Sequence, residues 1–463
     1  MINEIPNNVD LDHDPQLKRA LSLWHPGFLK WWNEVGPDGF QQSQVYLRTA
    51  ISASADGWAR YGYVAMPEYQ WGIFLAPQQR QKIGFGDHPD QDCWQQVPGE
   101  FRKELRRIIV TQGDTEPASV EQQRHLGRTA PSLYDLRNLF QINVEEARHL
   151  WAMVYLLHRY FGRDGREEAD ELLQRRSGHL DHPRILNAFN SPIRDWIDLF
   201  CFAMFTDRDG KYQLESLSES GFTPLARTAQ FMLTEEAFHM FVGESGIQRI
   251  VQRTADLIRE SGASDIHHLG GIDLSMLQKY INLWYTESLD LFGGEDSSNA
   301  ATYFAAGLKG RYHEASAQGE HSALNGSYSL RQADGSVDEI PIRRAMNALL
   351  RDSYTEDCER ALARWNRELQ KRSVDLRLTL PALQFNRKVG AFAGQTCDPQ
   401  GKVLEADEYA QRRSDWLPTE QDRARVSELL QPVHAPGKIA GWIAPPARSV
   451  NHQPFDFEYV LIN

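Results

Sequence analysis

Two short segments with one shared pattern constrain the fold of this chain more than any other feature. Residues 145–149 and 235–239 both read Glu-Glu-Ala-x-His, and in each the second Glu precedes the His by three residues. Positions three apart share one face of a helix, so each segment can aim a carboxylate and an imidazole at the same point. Two such helices facing each other supply half of a dinuclear carboxylate iron site in a helix bundle.

Each Glu-x-x-His pair is also preceded by a carboxylate at nearly the same distance. Glu116 lies 30 residues before Glu146, and Asp207 lies 29 residues before Glu236. A single Glu-x-x-His is expected about once by chance in a chain of this size. Two copies with matching flanks favour a metal site, and the alternative interpretation is a pair of solvated acidic helix faces.

Composition indicates a folded protein with no general affinity for polyanions. The 463 residues carry a formal net charge of -13, with 41% hydrophobic and 11% aromatic residues. This charge argues against nucleic acid or an anionic membrane surface as a partner. The four cysteines lack metal-type spacing and are too few for a disulfide framework, which favours a reducing cytoplasm. The polar N-terminus and the short longest apolar run, residues 150–157, predict neither a signal peptide nor a membrane span.

Apolar periodicity predicts the first bundle helix over residues 101–115. Glu116 extends its apolar stripe by one more turn, and Pro117 is expected to end or kink the helix there. A ligand at a distorted helix end can be aimed by that distortion. Asp114 and Glu121 leave the stripe and are therefore the weaker ligand candidates.

A second, longer helix is predicted from about residue 131 to Phe161. Its inward face carries Asn143, Glu146 and His149 among apolar residues. Polar groups at such positions are costly to bury unless they bind something. A charged, loop-like stretch with a short helix is expected after it.

The third and fourth bundle helices follow the same pattern. The third is predicted to begin at Pro192, to carry Asp207 on its buried stripe, and to break at residues 209–210, which read Asp-Gly. The fourth is predicted to have Thr223 as its N-cap and Pro224 at its first helical position, and to run towards residue 250. Together the four helices place one carboxylate or one Glu-x-x-His pair each in the bundle.

The remaining chain divides into segments that flank the bundle. We expect an aromatic-rich N-terminal segment (1–98), the di-iron bundle (99–260), additional helices (261–380) and a loop-rich tail (381–463), forming one body. The N-terminal segment is predicted to hold an amphipathic helix near residues 24–32 and short strands or an aromatic connection over 45–76. The additional helices are predicted at 274–291, 300–312 and 341–372.

With these features the chain resembles the ferritin-like di-iron carboxylate superfamily, and within it the family of benzoyl-CoA 2,3-epoxidase oxygenase subunits. The likeness includes Ile-Pro-Asn-Asn-Val-Asp-Leu at 5–11, Met-Pro-Glu-Tyr-Gln-Trp-Gly at 66–72 and both Glu-Glu-Ala-x-His segments. It extends over the whole chain. The resemblance implies a mainly α fold, with a ferritin-like four-helix bundle that holds two irons, extra helices on both sides and a loop-rich C-terminal tail.

The resemblance also implies a monooxygenase of aerobic aromatic catabolism. One oxygen atom of O2 would be added across the ring of benzoyl-CoA as an epoxide, and the other would leave as water. Electrons would come from NADPH through a separate reductase that carries FAD and an iron–sulfur cluster. A shorter Asp stands at position 207, where the superfamily more usually has Glu. The implied ligands of the two iron ions are Glu116, Glu146, His149, Asp207, Glu236 and His239.

Other side chains are candidates for roles around the metals and the substrate. Glu145 and Glu235 either accept a hydrogen bond from the histidine of the opposite helix or face solvent. Gln112, one turn before Glu116, either binds a substrate carbonyl or fills a polar gap in the core. The anionic CoA moiety requires a basic mouth, meaning basic side chains at the entrance of the substrate site. The candidates for that mouth are Arg249, Arg253, Lys309, Arg311, Arg387 and Lys388.

Several other functions are compatible with a helical metal site. A phenylacetyl-CoA epoxidase would share the chemistry and differ in substrate. The radical-generating subunit of ribonucleotide reductase has a tyrosine one turn after the first site histidine, where this chain has Met153. Iron-storage proteins are single short bundles, and roughly 300 residues here exceed a four-helix core. A metal-free helical scaffold is the remaining alternative.

Overall fold

Helices make up most of the computed structural model, which describes residues 5–40, 43–45, 64–65, 71–314, 325–447 and 460–461. The mainly α architecture expected from the sequence is confirmed. The α-helices are α1 (Pro15–Val35), α2 (Arg102–Gln122), α3 (Leu133–Gln174), α4 (Trp196–Ser218), α5 (Thr223–Ser261), α6 (Leu274–Leu289), α7 (Ser298–Ala305), α8 (Met346–Lys371), α9 (Ala406–Trp416) and α10 (Glu420–Ser427). The strands are β1 (Gln44–Val45), β2 (Val64–Ala65), β3 (Ser327–Arg331), β4 (Val337–Pro341) and β5 (Val460–Leu461).

Helices α2 to α5 form the bundle, and glycines let neighbouring helices approach closely. A Cβ at Gly243 of α5 would lie 2.3 Å from the backbone nitrogen of Met204 in α4. A Cβ at Gly113 of α2 would lie 3.2 Å from the Cβ of Met153 in α3. Both glycines lie one turn from a predicted metal-site residue, so close backbone packing fixes the spacing of the site.

Helix α2 does not end at Pro117, so that prediction is wrong. The helix continues to Gln122, with Pro117 inside it. A proline within a helix removes one backbone hydrogen bond and bends the helix. Ala118 and Val120, which follow it, are fully buried in the core, and their burial offsets that loss.

The predicted limits of the third and fourth bundle helices also need correction. Helix α4 begins at Trp196 rather than Pro192, because Asp195 is its N-cap and accepts hydrogen bonds from two backbone N–H groups. It runs through Gly210 because a glycine inside a helix costs only about 1 kcal/mol, and the following turns are buried. Helix α5 begins at Thr223, so the N-cap is Phe222 and proline is the second helical residue.

The second bundle helix was predicted to end near Phe161, and the backbone breaks there. Gly162 has φ 61 and ψ -130, a conformation that suits glycine, and divides α3 into two helical stretches. The long first stretch spans the bundle and carries Glu146 and His149. The second stretch corresponds to the short helix expected in the charged region.

The N-terminal helix and the chain end pack onto the bundle. Helix α1 passes through Pro26 and buries the aromatic face that its spacing predicted, including Trp24, Phe28, Trp31 and Trp32. The strand order of the small sheet is β2-β1-β5, so residues near the C-terminus pair with β1. Most of the predicted aromatic strands over 46–70, including most of the 66–72 motif, lie outside the described residues.

The segment after the bundle differs from the prediction in three places. Helix α7 ends at Ala305 rather than near residue 312, and α8 begins at Met346 rather than 341. A hairpin of β3 and β4, unforeseen in the sequence, occupies the residues before α8. The tail contains α9 and α10 as well as loops. The main hydrophobic core nevertheless contains side chains from Ile5 to Ile443. Among the described helices, none is long and apolar enough to cross a bilayer.

Candidate metal centre

The six predicted ligand side chains converge inside the bundle. Helix α2 provides Glu116, α3 provides Glu146 and His149, α4 provides Asp207, and α5 provides Glu236 and His239. All six are buried, and both histidines have no solvent-exposed surface. The ring centroids of His149 and His239 lie 6.1 Å apart. The two Glu-x-x-His pairs therefore face each other, as the sequence pattern predicted.

Two groups of donor atoms overlap at one carboxylate. Glu116, Glu146 and His149 bring one donor atom each within 4.8 Å of one another, and so do Glu146, Asp207 and His239. Sharing of Glu146 between two such groups is the arrangement expected of a site for two adjacent cations. Oxygen donors with imidazole suit iron or manganese better than a metal that prefers thiolate.

Two of the four carboxylates reach both histidines. The Oε2 and Oε1 atoms of Glu146 lie 3.8 Å from Nδ1 of His149 and 3.6 Å from Nδ1 of His239. Glu236 lies between the same nitrogens, at 3.7 Å and 3.4 Å. Glu116 approaches only the His149 nitrogen, at 3.3 Å, and Asp207 only that of His239, at 4.0 Å. The shorter Asp207 thus occupies a position at one end of the cluster, where no second histidine has to be reached.

The orientation of each histidine is set by a carboxylate from the opposite helix. Nε2 of His149 lies 3.0 Å from Oε2 of Glu235, and Nε2 of His239 lies 3.1 Å from Oε2 of Glu145. Of the two interpretations of these glutamates, the hydrogen-bonded one is confirmed. Each Nε2 is therefore directed at a supporting glutamate, and each Nδ1 faces the cluster.

Three buried atoms of the cluster have no hydrogen-bond partner among the described residues. They are Nδ1 of His149, Nδ1 of His239 and Oδ2 of Asp207. A buried polar atom without a partner carries a desolvation cost of about 1–3 kcal/mol. Because all three atoms point to the same small volume, the residues present fit a bound cation pair.

A second layer of polar side chains holds the two supporting glutamates. Nη2 of Arg148 donates to Oε1 of Glu235 at 2.5 Å, and its Nε donates to Oε2 at 3.1 Å. Gln141 donates to Glu145, and Arg137 donates to Gln141 at 2.9 Å. Arg148 occupies the variable position of the first Glu-Glu-Ala-x-His segment, and Glu235 is the first Glu of the second segment. Residues of the two segments therefore form the supporting ion pair themselves.

The protonation of the cluster follows from burial and mutual repulsion. Burial, and then the charge of Glu236, raise the pKa of Asp207 well above its ordinary value. Burial likewise raises the pKa of Glu146. Burial alone would lower the pKa of His149, but the nearby carboxylates, Glu116 first among them, outweigh it and the net shift is upward. Protons held in this way are what an incoming cation displaces.

Some supporting residues have no signal in the sequence pattern. Oγ of Ser119 donates to Oε1 of Glu146 at 2.9 Å, and Gln123 donates to Ser119 at 2.9 Å. Asn143 in turn donates to Gln123 at 3.0 Å. Asn143 therefore supports the site at a distance from the cluster rather than at it. Because α2 was predicted to end at Pro117, Ser119 and Gln123 were not considered as supporting residues.

A cavity of about 380 Å³ adjoins the centre on the side of α2 and α4. Gln112 and Thr115 line it, and both side chains also lie within 3.1 Å of Oε1 of Glu116. Thr206, the residue before Asp207, lies in the same wall. The cavity thus reaches the centre through the neighbours of two candidate ligands. Its apolar wall includes Ile108, Leu186, Phe189, Leu291, Phe292 and Met346.

Most candidates for a basic mouth are unsuited to that role. Arg249 is buried and forms a two-point ion pair with Asp135, at 2.7 Å and 3.0 Å. Arg387 is buried against Asp290. Arg253, Arg311 and Lys388 are engaged with Gly441, Glu314 and Glu287 respectively.

Two basic residues do line the cavity. Lys309 does so, as one of the predicted candidates, and so does the exposed Arg107, which sequence analysis missed. Arg107 is exposed, one turn before Thr111 on α2 and off the apolar stripe of that helix, and the sequence gave no sign of an opening beside it. Within the described residues the Arg107 guanidinium has no ion pair.

Comparison with known proteins connects this geometry to a family. The family model described as "Phenylacetic acid catabolic protein" matches residues 92–264, which contain α2 to α5 and all six candidate ligands. The chain is also 55% identical to "Benzoyl-CoA oxygenase component B" of Aromatoleum evansii, over 100% of both chains. The chain belongs to the phenylacetic acid catabolic protein family. The resemblance inferred from the sequence motifs and the ferritin-like fold are thereby confirmed.

Membership of the phenylacetic acid catabolic protein family argues against the iron-storage alternative. The family match coincides with the bundle, and the Aromatoleum evansii relative extends the likeness to the flanking helices and the tail. The roughly 300 residues outside a four-helix core, unexplained in a storage protein, are thus shared with an oxygenase component. The printed name of that relative describes one component of a larger system.

Proposed function

We propose that this chain is the oxygenase component of a system that epoxidises the aromatic ring of benzoyl-CoA. One atom of O2 enters the ring as the 2,3-epoxide, and the other leaves as water with two protons and two electrons. The convergence of six buried side chains, with both histidine Nδ1 atoms lacking a partner, carries this proposal. The Aromatoleum evansii relative supports the choice of substrate.

Two iron ions are the proposed cofactor. Glu116 and His149 would hold one iron, Asp207 and His239 the other, and Glu146 and Glu236 would be shared between them. Four carboxylates balance the charge of two divalent cations, which favours a buried site. Bound iron supplies the one-electron chemistry by which O2, otherwise unreactive towards a closed-shell ring, is reduced.

The surrounding residues fix the ligands before iron arrives. Glu145 and Glu235 hold the imidazole rings so that Nδ1 faces the metals, and such outer contacts typically account for about 10–100-fold in metal affinity. Gln112, Thr115 and Ser119 donate to or lie against the carboxylates. These contacts limit the conformations available to the ligand side chains.

The cavity beside the centre is the proposed site of the benzoyl group. Its apolar wall suits an aromatic ring, and Gln112 is the proposed partner of the thioester carbonyl. The Gln112 amide also donates to Glu116 at 3.0 Å, so it links the substrate position to a candidate ligand. Arg107 and Lys309 are the proposed contacts of the anionic CoA moiety.

The electrons are proposed to come from NADPH through a separate reductase that contains FAD and an iron–sulfur cluster. The word "component" in the relative's name supports a system of several proteins. We place the protein in the cytoplasm, where NADPH and acyl-CoA thioesters are available. Neither nucleic acid nor a membrane is a proposed partner.

Aerobic turnover followed by mass spectrometry tests the proposed function. Iron-loaded protein, a chemical reductant and benzoyl-CoA are expected to give a product with one added oxygen atom, and ¹⁸O2 should supply that atom. Phenylacetyl-CoA is the comparison substrate, because the family description names phenylacetic acid. Faster conversion of phenylacetyl-CoA would favour a phenylacetyl-CoA epoxidase instead, and no oxygenated product from either substrate would refute the proposal.

The charge of Lys309 should make CoA-thioester binding weaken with rising pH. Burial lowers the pKa of Lys309 to about 8, so its ammonium is charged below that pH and neutral above it. We expect KM for benzoyl-CoA to rise as pH increases through this range, by up to about tenfold for the loss of one charge-assisted contact. Lys309→Met should show the raised KM at every pH, without this step, and the unaltered protein should approach that value above about pH 8. A retained pH step in Lys309→Met would contradict the assignment.

A further inference from the structure

Helix α5 carries an exposed apolar patch on the side opposite its candidate ligands. Ala237 and Phe241 are exposed, and Phe241 leaves 52% of its surface in solvent. Ala237 directly follows Glu236, and the half-buried Met240 directly follows His239. Only the width of one helix therefore separates these solvent-facing side chains from the candidate metal centre.

The same residues line a surface depression of about 410 Å³ between α4, α5 and α8. Arg208, which directly follows Asp207, lies in its wall. The depression thus adjoins candidate ligands on two helices. It is distinct from the substrate cavity, with which it shares no lining residue among the described ones.

The rim of this depression is locally basic in an acidic chain. Arg208 bridges Glu244 at 2.9 Å and Asp357 at 2.7 Å. The two acids are also paired with further cations, Lys211, Arg360 and Arg364. Four cations against two anions leave a formal charge of +2, whereas the whole chain carries -13. At physiological ionic strength screening acts over about 8 Å, so a docked partner responds to the rim rather than to the chain's total charge.

We propose that the depression around Ala237, Met240 and Phe241, with its basic rim, is the docking surface for the electron-donating reductase. The proposal rests on the proposed function, in which two electrons per turnover must reach a buried centre. An apolar centre with a charged rim is typical of protein interfaces. Transient electron-transfer complexes make small contacts, which bury under about 1,200 Å². The reductase surface around its redox group is then expected to be acidic.

The test compares turnover driven by a reductase with turnover driven by a chemical reductant. The probe is a purified NADPH-dependent flavin and iron–sulfur reductase that supports turnover of the unaltered chain. The variant Phe241→Ser with Arg360→Glu removes the apolar anchor and reverses one rim charge; the Arg360 side chain is 57% exposed. We expect KM for the reductase to rise by roughly tenfold and its dependence on salt to weaken. Single turnover after reduction by dithionite should stay unchanged.

Matched controls use exposed residues elsewhere. Leu180, which is 96% exposed, is replaced in Leu180→Ser, and Arg412, whose side chain is 48% exposed, is replaced in Arg412→Glu. Neither control should alter KM for the reductase. Lys211→Glu is an independent rim variant, should the first not fold.

Each outcome has a definite meaning. An unchanged KM in the patch variants, with dithionite-driven turnover intact, overturns the docking surface and leaves the proposed function standing. Equal rises of KM in patch and control variants overturn it as well. Absence of product after dithionite reduction of the unaltered chain refutes the proposed function, and the docking proposal falls with it.

Discussion

Glu146→Ala is expected to abolish epoxidation and to reduce bound iron from about two per chain, as in other di-iron bundles, to well below one. The reason is the position of Glu146 between the two histidine Nδ1 atoms, at 3.8 Å and 3.6 Å. Removal of a shared carboxylate takes a ligand from both metals at once. Iron content by atomic absorption, together with mass analysis of the product, measures the effect.

Glu116→Ala is the informative comparison. Glu116 approaches only His149, so this variant should lose one iron preferentially and retain about one, held by the other half of the di-iron site. His239→Ala should lose the product as well. Glu100→Ala, an exposed carboxylate beside α2, is the control and should retain both irons. Equal iron content in Glu146→Ala and Glu116→Ala would contradict the assignment of shared and terminal ligands.

The fold should survive removal of Glu146. Burial raises the pKa of this carboxyl well above its ordinary value, so the metal-free protein does not depend on its negative charge. Its loss removes the acceptor of the Ser119 hydroxyl, which still accepts a hydrogen bond from Gln123. Circular dichroism of Glu146→Ala is expected to match that of the unaltered protein, which would separate loss of metal from loss of structure.

Arg148→Met is expected to give the largest loss of stability. Arg148 and Glu235 are both buried and form a two-point ion pair. Removing one partner leaves a buried charge uncompensated, which typically costs about 3–5 kcal/mol. Urea unfolding of metal-free protein measures this loss without interference from iron. Arg159→Met is the control, since its ion pair with Asp14 is exposed and should contribute less than about 1 kcal/mol.

The double variant Arg148→Met with Glu235→Gln identifies the cause. With both charges removed, neither member of the Arg148–Glu235 pair is left as an unpaired ion, and a glutamine oxygen can still accept from Nε2 of His149. Much of the lost stability should return. A double variant as unstable as Arg148→Met alone would show that packing, rather than the unpaired charge, accounts for the loss.

The ligand pattern could be read from the sequence because helical periodicity determines it. Residues three apart on a helix must share a face, so Glu146 with His149, and Glu236 with His239, could be paired before the fold was known. The supporting ion pairs were harder to foresee. The partner of His149 is Glu235, 86 positions away, and no local rule specifies which residue of another helix a side chain meets.

Helix ends and the cavity were the least predictable features. Pro117 and Gly210 both predict helix breaks from local propensity, yet both lie inside helices, because packing of the following turns outweighs a local cost of about 1–3 kcal/mol. Most of the residues predicted for the basic mouth were wrong for a similar reason. Arg249 and Arg387 look free in the sequence but pair with buried acids, and such pairing depends on contacts between distant segments.

The most direct measurement is a crystal structure of the iron-loaded protein with anomalous diffraction recorded at the iron absorption edge. We expect two anomalous peaks between His149 and His239, each bound through Nδ1, with Glu146 and Glu236 contacting both. A single peak, peaks outside the α2 to α5 bundle, or coordination through Nε2 would contradict the assigned di-iron centre.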